Sequence, residues 1–286
     1  AITGARGFIG THLLRYLNTG GFGYTALKRT GDDFIYPTNW EEFGAIIHLE
    51  ARVHLKKSRK THLLYTRNLA EKAVNSNIRH FIFVSSVGVL GKFTRASPFD
   101  ADSPYNPLED YSVSKMEAEE ELKRIFHDTD VNLTIIRPPL VYGSGAKGNF
   151  KSLSRLVKHI PVLPVGSIKS ERSFCSVNNL CDLIITCLNN EKSYNRTFLV
   201  SDDVTVTLVD MIKMMYRSLD KTGLIIPVPV SLLHLAGLIT GKTQAVSKLT
   251  SSLTLDISHT KDTLGWSPPY SMEQEISRAL NDDKTV

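Results

Sequence analysis

The sequence predicts an α/β fold, a doubly wound parallel sheet with helices on both faces, followed by a smaller C-terminal lobe. Three observations lead there. Short apolar runs alternate with helical-period stretches through the first half, a glycine-spaced loop stands at the start, and the run Phe81-Ile82-Phe83-Val84 ends in two serines. Strands buried on both faces read as continuous apolar runs, so that last segment belongs inside a parallel sheet.

Taken in order, the pattern predicts a helix over 7–17, strands over 24–27 and 45–49, and a helix over 63–74. A strand over 80–85, a helix over 111–125 and a strand over 133–137 follow. Crossovers in such a sheet are right-handed, and ligands bind outside the carboxyl ends of the strands. Beyond Tyr142, Gly, Pro and Ser interrupt the pattern. Helices are expected near 153–159 and 209–219, and short strands over 173–177 and 197–200 are expected to return to the sheet or its edge. The expected units are residues 1–145 and 146–286, with strands from about 172–203 rejoining the first.

The composition, 42% hydrophobic and 22% charged over 286 residues, is that of a folded globular protein. A formal charge of +5 fits a solvated basic surface or a pocket for an anion. The densest basic run, Arg52 to Lys60, lacks interleaved aromatics and reads as an exposed loop, so no nucleic-acid partner is expected. Cys175, Cys181 and Cys187 lack metal-ligand spacing and read as buried free thiols of a reducing, cytoplasmic protein, and no metal is expected. No apolar run is long enough to span a membrane. The run from Val230 to Ile239 is too short to span and reads as a packed helix. The chain opens on its glycine loop, so a few residues of its first strand are expected to be missing, and no basic-then-apolar leader is expected.

That loop, Thr3-Gly4-Ala5-Arg6-Gly7-Phe8-Ile9-Gly10, stands where a first strand turns into a first helix. Glycines allow a tight turn and close backbone approach to a pyrophosphate, which the N–H groups and dipole of the helix N-terminus attract. The spacing, Gly-x-x-Gly-x-x-Gly, is one residue longer at the front than the usual dinucleotide fingerprint of a Rossmann-type fold. At the end of the second strand an acid selects NAD and a base accommodates the 2′-phosphate of NADP. Lys28-Arg29 stand there, leaning towards NADP.

Tyr111 and Lys115 are four residues apart and so share one face at the start of a helix. A tyrosine ionises near pH ~10. An ammonium nearby, together with the positive charge of an oxidised nicotinamide, favours the phenolate and fits the hydroxyl to exchange a proton as hydride moves. Ser86, at the end of the 80–85 strand, is placed to hydrogen-bond the reacting oxygen. Each signal alone has a bland reading, as a strand-end serine, a chance Tyr–Lys spacing or an ordinary glycine turn. Their order along the chain makes the set.

At these residues the chain resembles the extended short-chain dehydrogenase/reductase family, in particular its nucleotide-sugar epimerases, reductases and dehydratases. Further marks are Ile47-His48-Leu49, Val84-Ser85-Ser86, Arg137-Pro138-Pro139-Leu140-Val141-Tyr142-Gly143, Arg172-Ser173-Phe174, Asn179-Leu180-x-Asp182 and Leu264-Gly265-Trp266-x-Pro268. The resemblance implies Ser86, Tyr111 and Lys115 as the catalytic set. It implies NAD or NADP held by Gly4, Arg6, Gly7, Phe8, Ile9, Gly10, Lys28, Arg29, Leu49, Ala51, Tyr111, Lys115, Pro138, Leu140 and Val141. Ser86, Asn149 and Arg172 would meet the substrate, a UDP-linked sugar, and Arg172 has the planar fork that matches a diphosphate.

The chain departs from the family at several points. Val87-Gly88 replace the Asp-Glu pair of the 4,6-dehydratases, which disfavours dehydration; Leu90 stands where tyrosine is common, Glu50 replaces a small residue, and the stretch 54–65 is short. The resemblance thus implies a UDP-hexose 4-epimerase, with an NADPH-dependent 4-keto reductase of surface-polysaccharide synthesis as the alternative and a homodimer through a helix pair as the assembly. A non-catalytic dinucleotide-binding protein is the alternative of another class, against which the complete Ser86–Tyr111–Lys115 set argues.

Overall fold

The computed structural model describes residues 1–30, 33–49, 58–146, 148–188, 190–239, 241 and 243–282. In chain order its first half runs β1 (Ile2–Thr3), α1 (Phe8–Thr19), β2 (Lys28–Thr30), β3 (Asp33–Ile35), β4 (Ala45–His48), α2 (Ser58–Val74), β5 (His80–Val84), α3 (Asp110–Phe126), β6 (Asn132–Arg137) and β7 (Leu140–Tyr142). The second half runs α4 (Asn149–His159), β8 (Val162–Leu163), β9 (Glu171–Ser176), α5 (Val177–Cys187), β10 (Arg196–Leu199), β11 (Thr205–Thr207), α6 (Leu208–Ser218), β12 (Leu224–Ile225), α7 (Val230–Ile239), α8 (Thr243–Leu249), α9 (Ser258–Leu264) and α10 (Met272–Asp282).

The main sheet is parallel, in the order β1-β4-β5-β6-β10. Ala26 bridges Ile2 on the other side of β1. The chain therefore leaves β1 to one flank and returns to the other, which makes the carboxyl end of β1 the switch point where ligands bind in such sheets. The predicted strand over 24–27 is corrected: beside two-residue β1 it forms one bridge, and regular pairing begins at Lys28 in an antiparallel hairpin, β2 with β3. A second sheet, β11-β9-β7, carries the segment after β6 outward.

Strand alternation sorts the core. Ile82 and Val84 pack with Leu13, Leu17, Leu180 and Ile184, on the face covered by α1 and α5. Phe81 and Phe83 pack with Leu69, Ala73, Ala118 and Leu122, on the face covered by α2 and α3. A third cluster, including Phe150, Val157, Ile212, Met215 and Ile276, joins α4, α6 and α10 outside the main sheet. Local capping fixes several ends. Thr207 and Asp210 form a capping box on α6, the Ser176 hydroxyl accepts the Asn179 N–H at the start of α5, and Gly265, at φ 63°, closes α9. Cys175, Cys181 and Cys187 are buried free thiols.

Candidate active site

The glycine loop turns from β1 into α1 at the switch point. Gly4 adopts φ 68°, a conformation that favours glycine, and its carbonyl accepts the Gly7 N–H at 2.9 Å. Gly10 is required for a different reason: a Cβ there would collide with the Gly4 carbonyl and stand 2.6 Å from Ala5 Cα. The loop therefore lies directly on the first turn of α1. No side chain caps that helix at Gly7, so its N-terminal N–H groups face outward without a side-chain acceptor. This cradle fits a pyrophosphate. Arg6 is exposed and Phe8 and Ile9 half-buried beside it.

The cleft is closed by the chain beyond β7. Phe8 packs near Gly143, whose φ of 152° brings Val177 against its Cα, and His12 Nε2 meets the Ser144 carbonyl at 2.9 Å. Leu49 is fixed beside the loop by its N–H, which donates to Thr3 Oγ1 at 3.2 Å. Thr3 Oγ1 also meets His48 Nδ1 at 2.6 Å, while His48 Nε2 meets Thr66 Oγ1 at 3.1 Å. Lys28 is exposed at the start of β2. Arg29 follows it in β2, and Ala51, with Glu50 and the start of the short 54–65 stretch, lies outside the described residues.

On the other side, Ser86 follows β5 and its Oγ accepts the Gly88 N–H at 3.1 Å, capping a short turn over Val87–Val89. Gly88 leaves room for Ser112 of α3, so the turn and the start of α3 touch. Tyr111 stands in the first turn of α3 and is half-buried. Lys115, one turn on, is fully buried; its Nζ donates to the Val84 carbonyl at 2.8 Å and lies 4.4 Å from the Phe83 ring centroid. Lys115 is thereby drawn to the carboxyl end of β5, next to Ser86.

The expected lowering of the Tyr111 pKa rests on the ammonium together with an oxidised nicotinamide. In the protein alone, burial pushes the Tyr111 phenol up to about 12. Desolvation wins because the phenolate loses its hydration, while Lys115 points at a backbone carbonyl.

Pro138 is buried and its carbonyl accepts the Val87 N–H at 2.9 Å. Leu140 and Val141 begin β7, Leu140 exposed and Val141 half-buried. Asn149 is exposed at the first position of α4, behind Gly148 at φ 76°. Arg172 is half-buried on β9; β9 pairs with β7 through Leu140 opposite Phe174, and extending that register backwards sets Arg172 level with Pro138. Its Nη1 donates to the carbonyls of Lys248 (2.6 Å) and Ser251 (2.9 Å), so the arginine also ties the chain after α8 to this sheet. The marks Asn179, Asp182 and Trp266 serve packing. Asn179 Nδ2 donates to Asp202 and to the Tyr270 carbonyl, and Trp266 Nε1 donates to Asp182 at 2.7 Å.

A buried cluster under the site was not read from the sequence. Glu119, two turns after Tyr111, accepts Ser85 Oγ at 2.5 Å, Tyr105 OH at 2.7 Å and Arg137 Nη2 at 2.6 Å. The glutamate and arginine side chains are 0% and 4% exposed. Ser85 and Arg137 continue the faces of Phe81–Phe83 and Leu133–Ile135, so strand parity sends both towards α3. The signal in the sequence is a carboxylate at 119 between Ala118 and Leu122 on the buried stripe of a helix.

A doubly wound parallel sheet with a glycine cradle at its switch point, and a tyrosine, lysine and serine gathered at the neighbouring strand ends, defines an NAD(P)-dependent oxidoreductase of the Rossmann class. The chain belongs to the NAD dependent epimerase/dehydratase family, which it matches over residues 1–200. It is 38% identical to a UDP-glucose 4-epimerase of Vibrio cholerae over 96% of this chain and 92% of that protein. It is 27% identical to the N-acetyl-α-D-glucosaminyl-diphospho-ditrans,octacis-undecaprenol 4-epimerase of Escherichia coli O157:H7, over 75% of this chain and 68% of that one. The UDP-glucose 4-epimerase of Thermotoga maritima, solved with UDP-glucose, superposes with a TM-score of 0.75 at 19% identity, covering 99% and 98% of the two chains. That likeness is one of fold.

Proposed function

We propose that this protein is a UDP-hexose 4-epimerase, acting by reversible oxidoreduction at C4 of the sugar. The observation that carries the reading is the 38% identity over nearly the whole chain to a UDP-glucose 4-epimerase, joined to a site whose groups suit that chemistry. Gly4, Gly7 and Gly10 would hold the cofactor pyrophosphate against α1, Lys115 and Pro138 to Val141 would flank the nicotinamide end, and Lys28 and Arg29 would meet the adenosine end. The nicotinamide, when bound, supplies the hydride acceptor and donor.

Tyr111 would take the C4 hydroxyl proton as the hydride leaves and return it after the 4-keto sugar has turned over. Ser86 would hydrogen-bond the same oxygen. Lys115, anchored on the Val84 carbonyl, brings positive charge to the tyrosine's side of the cleft, and with an oxidised ring nearby this offsets the burial that holds the free phenol near 12. Arg172 and Asn149 would hold the nucleotide diphosphate. A cytoplasmic site of action belongs to the same reading, as does a homodimer through a helix pair.

The test is to identify the nucleotide retained on purification, then supply UDP-glucose, UDP-galactose and their N-acetyl forms. Interconversion at C4 with no net cofactor consumption is expected. Stoichiometric NADPH oxidation by a nucleotide 4-keto-6-deoxy sugar, without epimerisation, would instead make the protein a reductase.

A further inference from the structure

The apolar run from Val230 to Ile239, read from the sequence as a packed helix, forms α7 over those residues but is packed on one side only. Apart from Ser231, His234 and Gly237 the helix is entirely apolar. A helix apolar all round is normally buried on every side or immersed in lipid. Here Gly237 is buried against Val246 of α8, whereas Leu232, Leu235, Leu238 and Ile239 are 53%, 52%, 68% and 77% exposed. Positions 232, 235, 238 and 239 share one face.

Further exposed apolar side chains lie in the elements that precede α7. Leu224 of β12 pairs with Val162 of β8, the Ile226 N–H donates to the Leu163 carbonyl, and Leu156 and Ile160 end α4 just ahead of β8. All of these except Leu163 are exposed. The exposed charge around this surface is mainly positive. Segments 131–170 and 221–255, which hold α4, β8, β12, α7 and α8, contain nine Lys or Arg and no Asp or Glu; of the nine, Arg137 is buried against Glu119 and Lys248 pairs with Glu109, and Glu171 and Asp220 border the segments. Lys151, Arg155, Lys169 and Lys221 are exposed, and Lys221 Nζ, on the Lys158 carbonyl, ties the two segments together.

We infer that this face, with α7 at its centre, docks on an anionic lipid surface. Aliphatic side chains flanked by the exposed Lys151, Arg155, Lys169 and Lys221, with Lys248 already paired to Glu109, match the acyl boundary and charged headgroups of a bilayer. A second copy of the chain fits poorly, because a two-fold interface sets a patch against itself and would oppose cation to cation. Nucleic acid fits poorly too, since the exposed groups are aliphatic rather than the aromatic platforms on which bases stack. Among the described residues no helix is long and apolar enough to cross a membrane, so the contact is a surface one. It reaches the candidate site by a short route: α7 packs on α8, and the Lys248 carbonyl at the end of α8 holds Arg172.

The test is co-sedimentation of the full chain with vesicles of phosphatidylcholine alone and of phosphatidylcholine with one quarter phosphatidylglycerol. At least tenfold stronger binding to the anionic vesicles is expected, weakening as salt is raised. Replacing Leu235, Leu238 and Ile239 together by serine is expected to lower that binding tenfold or more, with the circular dichroism spectrum and turnover of a soluble nucleotide sugar unchanged. A separate variant, Lys151→Glu with Arg155→Glu, should lose the preference for anionic vesicles and keep its fold. Equal binding to both vesicle types, no binding to either, or a wild-type oligomer that the serine variant converts to monomer in light scattering would each overturn the proposal.

Discussion

The two halves of helix α3 make opposite use of their polar residues. In its middle, Glu119 is fully buried with its oxygens taken by Ser85, Tyr105 and Arg137, a closed cluster tying α3 to the ends of β5 and β6. In its first turns, Tyr111 is half-buried beside the cleft, and Lys115 Nζ donates to the Val84 carbonyl at a strand end. The difference is between a carboxylate closed by three side chains and a tyrosine and lysine set at the strand ends where such sheets bind ligands. The buried cluster sets the register of the helix against the sheet, and that register presents Tyr111 to the cleft. The adjacent serines repeat the contrast at one strand end: Ser85 turns inward to Glu119, and Ser86 stays at the cleft.

Four experiments bear on this contrast between the two halves of α3. The largest effect is expected from Glu119→Leu, which leaves Arg137 buried without its counter-charge and should destabilise the fold by about 3–5 kcal/mol in denaturant unfolding. A change below about 1 kcal/mol would show that the cluster anchors nothing. Next is Tyr111→Phe, expected to retain nucleotide binding and neutral-pH stability while turnover falls by ~10²-fold or more. Undiminished turnover would remove the tyrosine from the reaction.

The serine pair should separate the two roles. Ser85→Ala should cost about 2 kcal/mol of stability, the scale of a hydrogen bond to a charged group, with a smaller effect on turnover. Ser86→Ala should lower turnover and leave the unfolding midpoint nearly unchanged. The reverse pattern would exchange their assignments.

The smallest effect concerns pH. The folded Tyr111 pKa is raised to about 12 from an unfolded value of 10.0, so the stability tied to its neutral form is complete below pH 10 and lost as pH rises towards 12. By pH 11 the wild type should lose about 1 kcal/mol that Tyr111→Phe does not lose. Parallel alkaline unfolding curves for the two proteins would place the phenol in water rather than in the dry wall of the cleft.

Much of the fold was legible in sequence because its signals are local. The continuous run Phe81 to Val84 could only be an inner strand, the helices of the first half follow from apolar period, and Gly4, Gly7 and Gly10 mark a turn that few other residues permit. The Tyr111–Lys115 pair was legible because one helical turn places residues four apart on one face. The regular strand starts at Lys28 rather than within 24–27 because pairing there depends on the length of its neighbour β1, which local propensity does not record.

Local sequence was enough for the alternation of strands and helices through the first half, the glycine turn into α1 and the shared face of Tyr111 and Lys115, since each depends on residues a few positions apart and on fixed backbone periods. Only the tertiary structure decided that Ser85 rather than Ser86 enters the core, that Glu119 closes a cluster with Arg137, that burial outweighs the ammonium at Tyr111, and that α7 keeps one apolar side in the open. Each of those depends on which face of a strand or helix meets which neighbour, and that is set by elements far apart along the chain.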